Sequence, residues 1–356
     1  MRVLWLLGVA GTLLQTAWAK PTISPGITGG NEAPVGKFLS TVGLRADETG
    51  TNLCGGILIA PKYVLTAAHC CNGAIKVASI GSHFLNGAQD GERIAVVRET
   101  RHPKFNPGTN SFDFGLLELA KESSIAPLPV AWDADADAFT NMTVIARGWG
   151  TTSWGGKQAN ALQQVTLRMW SQESCTKQFA VVDSSMACAG GLQGQDACQG
   201  DSGGPLTTVD GGREVLVGLV SWGVGCGQDG VPGVYARVAE AKDFVALFLR
   251  APSDAMVAYV RKITAKCTVF RVANCPLCDA ADATLRSAGA KAVDVVHMDT
   301  SAGHPSGTDV YNAIVSLSGL NTVPSVWIKS TFVGGAAALH GLLDGGKLRD
   351  LVAACS

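Results

Sequence analysis

Three separated segments of the chain carry side chains that could cooperate in nucleophilic catalysis. His69 lies beside a cysteine, Asp113 stands at the head of an apolar run, and Ser202 lies within a glycine-rich turn. A serine hydroxyl becomes a nucleophile when an imidazole takes its proton, and a carboxylate holds that imidazole in the required tautomer. Each residue alone is more often structural, as a turn residue, a surface histidine or a cap. Together the three residue types predict a catalytic triad.

The sequence around two of these residues, TAAHC at His69 and GDSGGP at Ser202, resembles the trypsin members of the chymotrypsin family. The resemblance extends over residues 27–250. It implies that Ser202 is the nucleophile, His69 the general base and then acid, and Asp113 the orienting carboxylate. It also implies that the N–H groups of Gly200 and Ser202 form an oxyanion hole, which stabilises charge that develops in the transition state.

The same resemblance implies a specificity pocket with Asp196 at its base. A buried carboxylate without a partner is costly, so it favours a cationic side chain that neutralises it. Ser221 and Gly223 would form one wall of this pocket and Gly233 the other. We therefore expect hydrolysis of protein or peptide substrates after Lys or Arg, with no cofactor in this part of the chain.

The segment Ile27–Gly30 resembles the new N-terminus that the trypsin family gains on activation. In that family the freed isoleucine ammonium pairs with a buried carboxylate, here Asp201, and orders the oxyanion hole and the pocket. Gly26 stands where most trypsin precursors have Lys or Arg. We therefore expect residues 20–26 to be a short propeptide that a separate, unknown activating protease removes.

Several further expectations concern the first 250 residues. Cys71 has no partner in the resemblance, and Asn141 begins an N-glycosylation sequon that suits a surface loop. Ser82 replaces the first glutamate of calcium-binding trypsins, so we expect no metal site. The resemblance implies three disulfides, Cys54–Cys70, Cys175–Cys188 and Cys198–Cys226.

A second reactive motif, Cys275-Pro276-Leu277-Cys278, follows a predicted strand and opens a predicted helix. The dipole and free N–H groups of a helix N-terminus stabilise a thiolate, so a cysteine there becomes a nucleophile. A second cysteine three residues later can resolve the mixed disulfide that forms. Zinc needs two more ligands, and no second pair with that spacing exists. A redox pair and a closed structural disulfide both remain open.

With the Thr322-Val323-Pro324 segment and Gly334-Gly335, this motif resembles the glutaredoxin branch of the thioredoxin fold over residues 255–355. The resemblance implies a cis Pro324 facing Cys275. Glutathione is the implied ligand, although the usual lysine and the usual acidic or hydroxyl residue are replaced; Lys266 and Arg271 are candidate substitutes.

The elements that must position these residues change in type along the chain. Short apolar runs broken by Gly, Pro, Asn and Asp predict an all-β barrel or sandwich over 27–250, closed by a helix at Ala239–Arg250, and the resemblance to the chymotrypsin family implies two barrels. Alternating helices and strands predict an α/β domain with helices packed on a central sheet over 251–356, and the resemblance to glutaredoxins implies the thioredoxin fold. Cys267 and Cys355 in that domain could pair or stay free.

The whole chain reads as an exported two-domain protein. Residues 1–19 have the basic start, short apolar core and small-residue end of a signal peptide, too short to span a bilayer. Eleven cysteines then imply disulfides, and the odd number leaves at least one without an intrachain partner. A net charge of −1 with no basic run argues against nucleic-acid or membrane partners.

Two functions of different classes fit these observations. The first is a secreted serine endopeptidase with an appended thiol–disulfide exchange domain, which could open disulfides of a target. The alternative is a non-catalytic binding or inhibitor protein with a structural disulfide tail. Such lineages typically lose a triad residue, and all three residues stand here. The sequence therefore favours the enzyme.

Overall fold

A computed structural model describes residues 27–86, 90–151, 153–249, 252–272, 275–298, 307–318, 323–353 and 355. The predicted signal peptide and propeptide, residues 1–26, lie outside the described residues. The strands of the first domain are β1 (Asn31–Glu32), β2 (Thr41–Arg45), β3 (Asn52–Ala60), β4 (Tyr63–Thr66), β5 (Val77–Ile80), β6 (Glu92–Arg101), β7 (Gly115–Leu119), β8 (Thr143–Gly148), β9 (Gln163–Arg168), β10 (Met186–Gly190), β11 (Pro205–Asp210), β12 (Arg213–Trp222) and β13 (Pro232–Arg237). Its helices are α1 (Gln172–Gln178), α2 (Lys242–Leu249) and two 3₁₀ turns at Ala68–Cys70 and Val238–Ala241.

Six of these strands close a barrel in the order β2-β3-β4-β7-β6-β5. The other seven form a sheet in the order β1-β9-β8-β11-β12-β13-β10. An isolated bridge between Met169 and Ala189 joins the end of β9 to β10, so this sheet also curls on itself. Alternating apolar residues fill each interior, for example Val42 and Leu44 of β2. The expectation of an all-β domain of the chymotrypsin type is confirmed.

The second domain is an α/β unit with one four-stranded sheet. Its strands are β14 (Cys267–Arg271), β15 (Asp294–His297), β16 (Ser325–Ile328) and β17 (Thr331–Gly334). Its helices are α3 (Asp254–Thr264), α4 (Pro276–Ser287), α5 (Gly307–Ser318), α6 (Ala336–Asp344) and α7 (Leu348–Val352). The sheet order is β15-β14-β16-β17, with β14 parallel to β15 and antiparallel to β16.

Helices cover both faces of this sheet because side chains of successive strand residues point to opposite faces. Val269 packs towards α4, α6 and α7, whereas the next residue, Phe270, packs towards α3 and α5. The alternating helices and strands are present, and β17 and α6 add to those that the sequence predicts. The α/β expectation is confirmed.

The two domains are in direct contact. Helix α2 ends at Leu249 and α3 begins at Asp254. The Tyr311 hydroxyl of α5 donates to Glu118 of β7 at 2.7 Å, and the Asn312 side chain donates to the Leu247 carbonyl at 2.7 Å. The second domain therefore packs against the β2–β7 barrel and against helix α2. No helix in the described part of the chain has the length and apolarity to cross a membrane.

Candidate active site

The pairing of two strands brings His69 and Asp113 together. Thr66 of β4 pairs with Gly115 of β7, so the residues just beyond these two strand ends are neighbours. The His69 ring Nδ1 lies 2.8 Å from Asp113 Oδ2, and the His69 backbone N–H donates to Asp113 Oδ1 at 2.9 Å. Asp113 is completely buried, whereas the His69 side chain is 31% exposed. The carboxylate therefore holds the imidazole at the edge of a cleft.

A third group on this carboxylate was missed by the sequence analysis. The Ser221 hydroxyl donates to Asp113 Oδ2 at 2.6 Å and is buried. The sequence analysis assigned Ser221 to the wall of the specificity pocket, and the structure gives it this second contact. No local signal could have revealed the pairing, because 108 residues separate the two side chains.

Ser202 lies in a tight turn across the same cleft. Its carbonyl accepts the Gly55 N–H at 2.8 Å and lies 3.7 Å from the sulfur of Cys70, the residue after His69. Gly203 has a φ of +76°, and a Cβ there would fall 2.1 Å from Thr66 Oγ1, so the turn requires glycine. Among the described residues, no hydrogen bond joins the Ser202 hydroxyl to His69.

Gly200, which the sequence analysis places in the oxyanion hole, has a positive φ. Its φ is +93°, which favours glycine. The preceding carbonyl, of Gln199, accepts the Thr151 N–H at 2.7 Å. Within the described chain, the N–H groups of Gly200 and Ser202 donate no hydrogen bond to the protein, so both remain available to a ligand oxygen.

The four predicted pocket residues line one cavity of about 210 Å³. Asp196 is only 5% exposed; its Oδ2 accepts the Gly227 N–H at 3.1 Å, and its Oδ1 has no hydrogen-bond partner. Burial raises the pKa of Asp196 to about 6, although hydrogen bonds from two backbone N–H groups oppose the shift. Trp154, which the sequence analysis did not single out, also lines this cavity and is 63% exposed.

Asp201 lies in the interior behind this cavity. It is fully buried and accepts backbone N–H groups of Gly150 and Cys198 at 2.8 and 2.9 Å. Burial raises the pKa of Asp201 to about 7. Ile27 is also completely buried, in the core of the second sheet. Because Ile27 is joined to residue 26 in this chain, its nitrogen is an amide, and the predicted ammonium–carboxylate pair remains a prediction.

The eleven cysteines form five disulfides and leave one thiol. The pairs are Cys54–Cys70, Cys175–Cys188, Cys198–Cys226, Cys267–Cys355 and Cys275–Cys278. The free thiol is Cys71, whose pKa burial raises to about 12. In the described chain, the one cluster of potential metal ligands combines His69 with Cys54 and Cys70, whose sulfurs are bonded to each other. Asn141 is exposed, as a glycosylation site requires.

The Cys275–Cys278 disulfide lies at the start of α4. Cys278 is fully buried and Cys275 is half-buried, so an external reagent reaches Cys275 first. The peptide bond before Pro324 is cis. Both proposed substitutes for the glutathione-binding cation are already paired: Arg271 lies 2.6 Å from Asp279, and Lys266 lies 3.1 Å from a carboxylate of β15.

The barrel and the curled seven-stranded sheet define a chymotrypsin-type domain, and the four-stranded sheet with its helices defines a glutaredoxin-type domain. The family model Trypsin matches residues 27–245, and the model Glutaredoxin matches residues 267–333. The chain belongs to the trypsin family.

Particular relatives give a different view of the function. Glucanase inhibitor protein 1 of Phytophthora infestans is 38% identical over 250 residues, which cover 69% of this chain and 96% of the relative. Glucanase inhibitor protein 3 of the same organism is 43% identical over 226 residues, or 62% and 86% of the two chains. Trypsin 5G1 of Aedes aegypti is 36% identical over 240 residues, or 65% and 88%.

These relatives overturn the expectation that the protein is an enzyme. Four relatives that are 38–43% identical to this chain are named as glucanase inhibitors, so the prediction of a serine endopeptidase with possible oxidoreductase activity is wrong. The lack of a hydrogen bond between Ser202 and His69 among the described residues would not by itself argue against catalysis, because catalytic hydrogen bonds are often long in unliganded sites. The sequence analysis erred because it treated an intact triad as sufficient for catalysis, whereas function depends on the whole site.

Proposed function

We propose that this protein is a secreted, non-catalytic member of the trypsin family that binds and inhibits a glucanase. The observation that carries the proposal is the extent of the likeness: the matched segments span 86–96% of two proteins named for this inhibition. The matched length corresponds to the trypsin-like domain, so we assign the inhibitory surface to that domain and treat the glutaredoxin-like domain as an addition to it.

The cavity above Asp196 is the part of this surface that we propose meets the partner. Asp196 Oδ1 is buried without a partner, so a Lys or Arg side chain entering the cavity would find an unneutralised carboxylate. Trp154 at the rim offers exposed aromatic area, and Trp and Arg are the residue types that dominate binding energy at protein interfaces. The partner is thus a protein that presents a basic side chain.

Two further features accompany this proposal. Five disulfides suit an oxidising, extracellular compartment, where glycosylation of the exposed Asn141 would also occur. We also propose that an activating protease frees Ile27, whose ammonium then pairs with Asp201. The buried Asp201 carboxylate, which has no cation beside it in the described chain, supports this step.

Inhibition of purified glucanases by the full chain tests the proposal. Glucan hydrolysis should fall in proportion to added protein until one equivalent is bound. An Asp196→Lys variant should inhibit much less, because the introduced cation repels the partner's basic side chain. An exposed matched change, Asp210→Lys, should leave inhibition intact. If no glucanase in a panel of secreted enzymes is inhibited, the proposal fails.

A further inference from the structure

A separate cavity of the trypsin-like domain adjoins the residue that begins the glycosylation sequon. It has a volume of about 520 Å³, within the range of small-molecule sites. It shares no lining residue with the pocket that contains Asp196. We name it the Asn141 cavity; six of the residues that line it are Asn141, Arg168, Trp170, Ser171, Ser174 and Leu192.

A tight turn holds Asn141 at the edge of this cavity. The Met142 N–H donates to the Phe139 carbonyl at 2.9 Å, and Asn141 has a φ of +60°, a conformation that asparagine adopts more readily than most residues. Two backbone hydrogen bonds join the turn to the residue after β9. The Asn141 N–H donates to the Met169 carbonyl at 2.9 Å, and the Met169 N–H donates to the Met142 carbonyl at 3.0 Å. The backbone therefore fixes Asn141 beside Trp170, the next residue along the chain.

The side-chain amide of Asn141 is available for modification. Asn141 is exposed, and within the described chain its side-chain amide makes no hydrogen bond. The Asn141 backbone carbonyl, in contrast, accepts an N–H from the Arg168 guanidinium. A group bonded to the amide nitrogen would therefore displace no existing contact of the fold.

The lining of the Asn141 cavity has the chemistry that a sugar ring needs. The Trp170 indole N–H donates to the Gly190 carbonyl at 2.9 Å, which holds this aromatic side chain in place. Leu192 adds apolar surface and is 58% exposed. The hydroxyls of Ser171 and Ser174 lie 2.9 Å apart at the start of α1. A sugar ring has an apolar C–H face and a rim of hydroxyls, so aromatic surface beside polar groups matches both.

We propose that Asn141 carries an N-linked glycan whose first N-acetylglucosamine packs in the Asn141 cavity against Trp170 and Leu192. The first sugar then removes apolar surface from water, so it stabilises the folded domain as well as covering it. The proposal rests on export of the chain, which is part of the proposed function, and is independent of glucanase inhibition.

Attachment needs a lipid diphosphate-linked oligosaccharide as the donor. The amide nitrogen of Asn141 forms a bond to C1 of the first N-acetylglucosamine, and the bond between C1 and the diphosphate oxygen breaks. The amide nitrogen gives up one proton, and the lipid diphosphate leaves with the electron pair. No oxidant or reductant takes part.

The test measures how much a single sugar stabilises the trypsin-like domain with and without the cavity side chains. The full chain is secreted from a eukaryotic host and trimmed with an endoglycosidase that leaves one N-acetylglucosamine. Thr143→Ala, which removes the sequon but keeps Asn141, supplies the form without sugar. Urea unfolding followed by hydrogen exchange in peptides of residues 27–249 compares the two forms. We expect the sugar to lower the unfolding equilibrium constant about fivefold.

The same comparison is then made in three variant backgrounds. Trp170→Leu and Leu192→Ser should each abolish most of the fivefold effect of the sugar. Leu53→Ser, a matched change at an exposed leucine outside the cavity, should leave it intact. Because each background is compared with and without the sugar, the costs of Thr143→Ala and of the background change cancel.

Mass spectrometry of the peptide that contains Asn141 establishes whether the glycan is present. A secreted chain with no glycan on Asn141 would overturn the proposal. An equal effect of the sugar in the wild type, Trp170→Leu and Leu192→Ser would also overturn it, because the sugar would then lie outside the cavity. If Trp170→Leu does not fold, the difference between Leu192→Ser and Leu53→Ser decides.

Discussion

The cleft at Ser202 and the start of α4 at Cys275 both retain the side chains of their motifs, but they differ in the charged groups beside those motifs. At Ser202 the charged group, Asp196, belongs to the same domain as the reactive residues and lies in the same cavity. At Cys275 the two candidate cations, Arg271 and Lys266, each lie beside a carboxylate of their own domain. Reactive motifs and recognition groups can therefore change independently, and a motif alone does not define a function.

The largest expected effect separates a structural disulfide from an accessible one. Replacing both Cys267 and Cys355 by Ser should lower the free energy of unfolding of the second domain by roughly 4–5 kcal/mol, because this bond closes a long loop. The two residues are 88 positions apart, whereas Cys275 and Cys278 are three apart. The same double change at Cys275 and Cys278 should cost less than about 2 kcal/mol.

Urea unfolding followed by hydrogen exchange in peptides of residues 254–355 measures both variants. Equal losses of stability would mean that the Cys275–Cys278 bond is as structural as the other. That result would favour a closed structural role for both disulfides.

The next expected effect concerns the buried carboxylate of Asp201. Its pKa is about 7 in the folded chain and 3.8 in the reference state. Between these values the folded state holds a proton that the unfolded state has lost, so the free energy of unfolding falls as pH rises. The slope from this group is at most about 1.4 kcal/mol per pH unit. We expect Asp201→Asn to remove this slope. Urea unfolding between pH 4 and 8 measures the free energy of unfolding of both proteins.

The comparison variant for this test is Asp196→Asn. The Asp196 carboxyl has a pKa of about 6, so Asp196→Asn should change the pH dependence of the free energy of unfolding mainly below that pH. A wild-type slope that survives in Asp201→Asn would show that Asp201 is ionised throughout and already neutralised by another group.

Much of the fold followed from the sequence because the responsible signals are local. Apolar runs between turn residues predicted β3, β4, β6, β7, β8 and β12, and Pro276 after Cys275 predicted the start of α4. Strand β17 was missed, because the tight turn before it, at Lys329-Ser330, uses two non-glycine residues with positive φ. Lys and Ser are not residue types that predict such a turn from the sequence.

The parts of the sites that escaped prediction depend on contacts between distant segments. Ser221 reaches Asp113 across 108 residues. Trp154 lies at the pocket that contains Asp196, although 42 positions separate the two residues and no motif surrounds Trp154. The function was misjudged for a related reason, since neither the motif nor its spacing distinguishes a protease from an inhibitor with the same residues.

A smaller effect tests recognition at Asp196 with benzamidine, a small arylamidine cation. The ionised carboxylate should bind it, so the affinity should be constant above pH about 7 and fall as pH drops through the Asp196 pKa of about 6. Asp196→Asn should bind at least roughly tenfold more weakly and lose the pH dependence, because the charge-assisted hydrogen bonds are gone.

Fluorescence titration at several pH values measures this affinity, with the exposed change Asp210→Asn as the control. Unaltered binding in Asp196→Asn would place the cation elsewhere. The proposed contact with a basic side chain of the partner would then lose its support.

The most direct test of the account compares the wild type with Ser202→Ala in two assays on the same preparations. The account predicts that both proteins inhibit a glucanase with equal affinity and that neither hydrolyses an arginyl reporter peptide, before or after cleavage ahead of Ile27. A wild type that hydrolyses the peptide, with the activity lost in Ser202→Ala and no glucanase inhibited by either, would contradict it.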